Sequence, residues 1–136
     1  MKAGFAILSL VIAFLPGMHV QEKPSGTSSK ANSATIVFFR EHHYNGWALK
    51  PSVYVDEKDE GRLPNGEWFS LSVEPGDHKL RSSMKHEPDT IVKINPGETV
   101  YVQMVILAGT WRGGGELAEA DASQAKEEIA KLHERK

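Results

Sequence analysis

The chain contains no cysteine. That absence removes disulfides, thiolate nucleophiles and cysteine-ligated zinc together, along with the residue that would carry an N-terminal lipid. Stability must therefore come from a packed core. An excess of either charge is lacking too: 16 basic and 18 acidic residues give a formal net charge of −2, with Lys and Arg scattered along the chain. No basic field gathers phosphate backbones, so nucleic acid is not an expected partner. No serine sits in a G-x-S-x-G elbow, and no carboxylate pair stands at a spacing suited to acid–base work. The sequence predicts no catalytic residue, no cofactor and no enzymatic activity.

At 136 residues, 40% of them hydrophobic, the chain is long enough to bury one core and too short for two. Lys2 supplies a minimal positive start, and Ala3 to Leu15 is an apolar run of 13 residues ended by Pro16-Gly17. A helix that crosses a bilayer needs roughly 20 apolar residues, so the run fits a signal-peptide core better than a permanent anchor. Residues 1–20 are read as that leader and the protein as exported, to the periplasm or beyond. No A-x-A triplet marks the cleavage site, and an uncleaved leader would be its one membrane contact. Residues 21–33, rich in Ser, Lys, Pro and Gly, read as a flexible tether to a single domain over residues 34–136.

From Ala34 the period becomes that of strands. Ala34 to Arg40 is rich in β-branched and aromatic residues, the composition of a central strand buried on both faces. Ser52 to Asp56 follows, with Val53 and Val55 on one face. Trp68 to Val73 alternates Phe69, Leu71 and Val73 against Trp68, Ser70 and Ser72. Asp77 to Met84, Thr90 to Ile94 and the Val100, Val102, Met104, Ile106 series continue the pattern. Turns are expected at Gly61, Gly66, Pro75-Gly76 with His78, and Pro96-Gly97. Short strands at about ten-residue intervals, with no helices between them, predict a β-sandwich.

The C-terminal segment changes rhythm. Gly113 to Gly115 reads as a hinge, since no Lys and Ser/Thr follow it in a Walker arrangement, and Leu117 to Lys136 reads as one helix rich in Ala, Glu and Lys. Asp121 and Gln124 form a capping pair, while Ala122, Ala125, Ile129 and Leu132 make a narrow apolar stripe for docking on the sheet.

Chemical candidates are few. His42 and His43 are adjacent, so in extended chain they point to opposite faces and do not chelate one ion. His78 and His86 join them only if the fold brings them there, and no metal is expected. The acidic run Asp56, Glu57, Asp59 and Glu60 lacks EF-hand spacing and reads as a solvated hairpin tip, with calcium left open. Tyr44 and Trp47, after the first strand, and Trp111, after the last, are the aromatics outside the alternation. They either cap the open end of the sandwich or form a binding surface.

Ser52-Val-Tyr-Val-Asp56, Gly61-Arg-Leu-Pro-Asn-Gly66, Phe69-Ser-Leu-Ser-Val-Glu-Pro-Gly-Asp-His78 and Pro96-Gly-Glu-Thr-Val-Tyr-Val102 together resemble the bacterial family known as domain of unknown function 2846. The same string is similar, more distantly, to PEGA-type surface-associated β domains. The resemblance runs over roughly Ala34 to Leu132, and Pro75-Gly-Asp-His78 is its most specific step. It implies a mainly β, antiparallel Ig-like or PEGA-like sandwich of about seven strands carrying one C-terminal α-helix. It implies no enzyme. Two features depart from the pattern: many relatives are lipoproteins and this chain has no cysteine, and the usual Val-Asp-Gly turn is replaced by Asp56-Glu-Lys-Asp-Glu-Gly61. The expected role is a structural or protein-interaction module of the cell envelope, with an envelope protein as partner. The alternative is a glycan-binding module using Tyr44, Trp47 and Trp111.

Overall fold

The apolar segment that begins at Ala34 forms β1 (Ala34–Phe39), and five of its six residues are buried. A computed structural model describes residues 32–84, 88–107 and 114–136. Then come β2 (Ser52–Val55), β3 (Lys58–Arg62), β4 (Glu67–Val73), β5 (Gly76–Ser82), β6 (Thr90–Ile94), β7 (Thr99–Leu107), β8 (Gly114–Ala120), α1 (Ala122–Ile129) and β9 (His133–Glu134). They build two sheets, ordered β8-β7-β1-β4-β9 and β3-β2-β5-β6. The chain changes sheet after β1, β3, β4 and β6, so Pro75-Gly76 and Pro96-Gly97 are corners between layers rather than hairpin tips. Gly76 (φ 135°) and Gly97 (φ 75°) hold the backbone at those corners.

The core lies between the sheets. Ile36, Phe38, Val53, Leu80, Val92 and Val102 are fully buried in it, and the Phe38 and Phe69 rings sit 5.2 Å apart at a 31° tilt. This is the two-sheet, mainly β architecture that the alternation predicts. Two pairings run parallel, β1 with β7 and β4 with β9, where an antiparallel arrangement throughout was expected.

Nine strands occur among the described residues, against about seven expected; β3, β8 and β9 are the three beyond the six segments marked by alternation. The acidic run is no open loop: Asp56-Glu57 is a two-residue turn and Lys58–Arg62 is the edge strand β3. Both turn residues take positive φ, 49° and 69°, the geometry that matches hairpin twist and that glycine or asparagine adopts most readily. Gly114 and Gly115 are not a hinge but the start of β8, paired through Leu107↔Gly114 to Tyr101↔Ala120; Gly113 lies outside the described residues. The helix spans only Ala122–Ile129 rather than Leu117 to Lys136, because β8 pairing claims the residues before it and β9 those after. Asp121 caps it by accepting from the Ser123 and Gln124 amides.

The helix connects the two edges of the five-stranded sheet, β8 and β9. The inner face of that sheet is filled by the core, so the connection crosses the outer face. Ala125 is buried there and α1 packs on β7. Val37 and Phe39, which alternate away from the core, are buried on this second face. Of the expected stripe, Ala122 is exposed, Ile129 is half-buried, and Leu132 is half-buried in the turn beyond the helix. Arg135 closes the far side: its guanidinium lies 3.7 Å from the Phe69 ring centroid and donates to the carbonyls of Arg62 (2.6 Å) and Glu60 (3.1 Å), tying the β9 side of one sheet to the β3 edge of the other. Gly61 (φ 108°) lies beside that guanidinium, and a Cβ there would stand 2.7 Å from Arg135 Nη1. Gly61→Ala is therefore expected to lower unfolding stability by about 2 kcal/mol, read from a urea transition, through backbone strain and displacement of the arginine together.

Candidate functional site

The alternation that buries Ile36 and Phe38 also points Arg40 inward, at the mouth of the core. Its side chain is 1% exposed. Among the described residues no carboxylate pairs with it; the guanidinium donates instead to the carbonyls of Gly46 (2.6 Å), Leu49 (2.6 Å) and Leu63 (3.4 Å). Burial lowers its pKa from the ordinary arginine value, yet the group stays charged. One buried cation thus gathers three carbonyls, two from the loop that joins β1 to β2.

A second clamp works from outside. Asn65 accepts from the His43 amide and donates to the His43 carbonyl, both at 3.0 Å. Gly46 takes φ 73° where the loop folds over Arg40, and a Cβ there would come within 3.0 Å of the Ile106 side chain. The loop of residues 41–50 is therefore fixed at both ends and along its length.

This fixed loop displays the two aromatics singled out by sequence. Tyr44 is 88% exposed and Trp47 64% exposed. Between them and Pro64, Asn65, Lys50 and Glu67 lies an open cleft of about 670 Å³, and a second of about 340 Å³ lies on the other side of Tyr44, over Met104 to Ile106. Tyr44 and Trp47 leave most of their surface in solvent, whereas Arg40 and Leu63 at this end of the sandwich are buried. Trp111 lies outside the described residues.

The remaining candidates fall elsewhere. His42 and His43 are both exposed; His43 Nε2 approaches Glu41 Oε2 at 3.2 Å, while the His42 ring lies beside Gly66, whose φ is 75°. His86 lies outside the described residues, and His78 sits at the opposite end of the sandwich. The acidic residues of 56–60 are each engaged: Asp56 by His78, Glu57 by Lys79, Glu60 by Lys58, and Asp59 by the Gly61 amide. Among the described residues no group of three or more His, Asp or Glu is placed to hold a metal ion. None of their helices is long and apolar enough to cross a membrane, and the apolar run 3–15 lies outside them.

The chain matches the family described as "Protein of unknown function (DUF2846)" across residues 30–115, more than half its length. It belongs to that family. The DUF2846 match spans β1 to β7 and the first two residues of β8, so Arg40, the aromatic loop and the Pro75-Gly-Asp-His78 corner lie inside it, whereas α1 and β9 lie beyond. An uncharacterized protein of Haemophilus influenzae is 25% identical over 135 residues, covering 96% of this chain and 79% of that one.

Sequence reasoning missed Arg40 and Asn65. The signal for Arg40 was present: Ile36, Phe38 and Arg40 share one parity, so a charged side chain ends a run of inward positions. Asn65 carried no such mark, because its partner is 22 residues away.

Proposed function

We propose that this DUF2846 chain is an exported, non-catalytic recognition domain of the cell envelope, and that Tyr44 and Trp47 form its contact surface for a protein partner. The observation that carries the reading is the pairing of extreme exposure with a rigid support. Exposed aromatic rings grouped on one loop mark a candidate interaction surface, and a loop already held by Arg40 and Asn65 loses little entropy when it binds. Tyr and Trp are also the side chains that dominate interface energetics. The 13-residue apolar run at 3–15 supports export.

A glycan reading has one observation in its favour: Tyr44 and Trp47 share the larger cleft with His42, Lys50 and Glu67, a ring-stacking surface with polar groups beside it. One experiment separates the two. The Tyr44→Ala/Trp47→Ala double variant is expected to change unfolding stability by under about 0.5 kcal/mol, because both rings lack buried contacts to lose. The same variant is expected to lose at least tenfold in affinity for a partner purified from envelope fractions, while binding of either form to peptidoglycan or isolated polysaccharide stays at background. Saturable polysaccharide binding that the double variant lacks would favour the glycan reading. Partner binding untouched by the double variant overturns the proposed surface.

A further inference from the structure

At the end of the sandwich away from the aromatic loop, the ring of His78 lies between two acceptors. Its Nδ1 is 2.6 Å from Asp56 Oδ2 and its Nε2 is 2.6 Å from the Glu74 carbonyl oxygen. A carbonyl oxygen only accepts, so Nε2 carries a hydrogen. The carboxylate at Nδ1 accepts in turn, so both ring nitrogens donate, and only the doubly protonated imidazolium has two donors. The His78 side chain is 12% exposed, while the Asp56 carboxylate that it meets is 52% exposed. Asp56 completes the arrangement with its other oxygen, which accepts from the Lys79 amide at 2.9 Å, while the Asp56 amide donates to the Lys79 carbonyl at 2.9 Å.

What this ring holds is the β2–β3 turn, where Asp56 and Glu57 both take positive φ. Non-glycine residues resist that region, by about 1–2 kcal/mol each in general, so the turn needs contacts outside itself. His78 supplies the contact for Asp56, and Lys79 and Arg81 supply it for Glu57 at 2.7 and 3.4 Å. We propose that His78 is a proton-operated clasp: doubly protonated, it pins the Asp56-Glu57 turn to the Glu74 corner, and loss of one ring proton frees the tip of the hairpin.

The charges around the ring favour the closed form. The turn contributes Asp56 and Glu57, the β4–β5 corner Glu74, β5 Asp77 and Lys79, and β3 Lys58 and Glu60; on β6, Lys93 stands opposite Asp77. Lys58 is committed to Glu60, and Lys79 to Glu57 and Asp89, which leaves His78 as the cation facing Asp56. Burial works against the charged ring, but the Glu74 carbonyl and the Asp56 carboxylate outweigh it and raise the pKa of His78 above the usual 6.5. Burial likewise opposes the Asp56 carboxylate, and the Lys79 amide and His78 outweigh it to hold the carboxyl below its usual 3.8.

The sign follows. A raised histidine pKa contributes stability that is complete below 6.5 and is lost as pH rises through the folded-state value. A depressed carboxylate pKa contributes stability that is present above 3.8 and is lost as pH falls through its folded-state value. The clasp is therefore closed in mildly acidic water and opens as pH rises through the His78 midpoint, which lies above 6.5. In an exported protein the pH that operates it is that of the surroundings. This inference is independent of the aromatic loop, which lies at the other end of the fold.

The test is a pH titration of the full chain by NMR, following the His78 ring and the amides of Asp56 and Lys79. The expected result is a His78 midpoint above 6.5, with both amides moving at that same midpoint. Protection of the Lys79 amide from hydrogen exchange should fall about tenfold above it, the equivalent of one charge-assisted hydrogen bond. Asp56→Asn, which suits positive φ and keeps the turn, should lower the His78 midpoint and abolish the coupling. A His78 midpoint at or below 6.5, or turn amides indifferent to it, overturns the proposal.

Discussion

Replacing Arg40 by methionine is expected to cost about 3–5 kcal/mol of unfolding stability. Methionine fills much of the same volume but donates nothing, so the part-buried carbonyls of Gly46 and Leu49 and the buried one of Leu63 lose their shared donor, and Gly46 keeps only the Leu49 amide. An orphaned buried acceptor costs about 1–3 kcal/mol. Removing the buried charge relieves part of its desolvation, which keeps the net below the sum of three such terms. Arg40→Lys should recover part of the loss only, since an ammonium is a point donor and cannot fork between Gly46 and Leu49 as the planar guanidinium does. Because two of the three carbonyls belong to the aromatic loop, the methionine variant should also become cleavable by protease within residues 41–50 and bind its partner more weakly. An unfolding free energy from urea titration within about 1 kcal/mol of the parent, or a loop that stays protected, would show that the guanidinium is not what holds it.

How much of this was legible beforehand depended on how far each segment's pattern is set by its own neighbours. β1, β4, β5, β6 and β7 each present an apolar face to the core, and the alternation that reports it survives in the sequence: Phe69 against Trp68 and Ser70, or Val92 and Ile94 against Ile91 and Lys93. β3 has no such face. Its residues Lys58–Arg62 lie at an edge, largely exposed, and become a strand because β2 pairs with them and because Arg135, more than 70 residues away, covers their carbonyls. β8 is composed like a helix, and its pairing with the long strand β7 overrides the preference of its Ala and Glu. At the candidate site, Tyr44 and Trp47 stood out as aromatics outside any alternation. What makes them a site is the support beneath them, and that support is a set of side chain to backbone bonds whose partners are 6 to 23 residues apart. No local pattern encodes those. His78 was marked as a turn residue from the Pro75-Gly-Asp-His78 step, but its contact with Asp56 appears only when β5 and β2 are placed side by side.

Phe39→Ala is expected to cost about 3–5 kcal/mol, the range for truncating a buried aromatic, although Phe39 points away from the main core. Phe38 and Phe39 are consecutive and lie on opposite faces of β1, yet both are fully buried. The second face is buried because the β8–α1–β9 connection crosses it, so the two substitutions should divide in their consequences. Phe38→Ala opens a cavity between the sheets and should destabilise the whole domain in one transition. Phe39→Ala removes a buried side chain from β1, the strand beside the β7 on which α1 packs, and is expected also to release α1 and with it the short β9 pairing through Glu67↔His133 and Trp68↔Glu134. Ala125→Glu reaches the same outcome from the other side by placing a longer, charged chain where the helix packs closest, at about 2–4 kcal/mol. Ile129→Ala and Leu132→Ala, half-buried rather than buried, should cost about 1–2 kcal/mol each, and Glu127→Ala on the exposed side under about 0.5 kcal/mol. The readout that separates docking from general stability is hydrogen exchange of the His133 and Arg135 amides, which donate to Gly66 and Trp68. They should lose protection in Phe39→Ala and Ala125→Glu under conditions where the Lys79 amide, in the other sheet, keeps its own. Equal loss in both sheets would mean that the helix is an inseparable part of one cooperative core, and that the outer face of β1 carries no docking surface distinct from it.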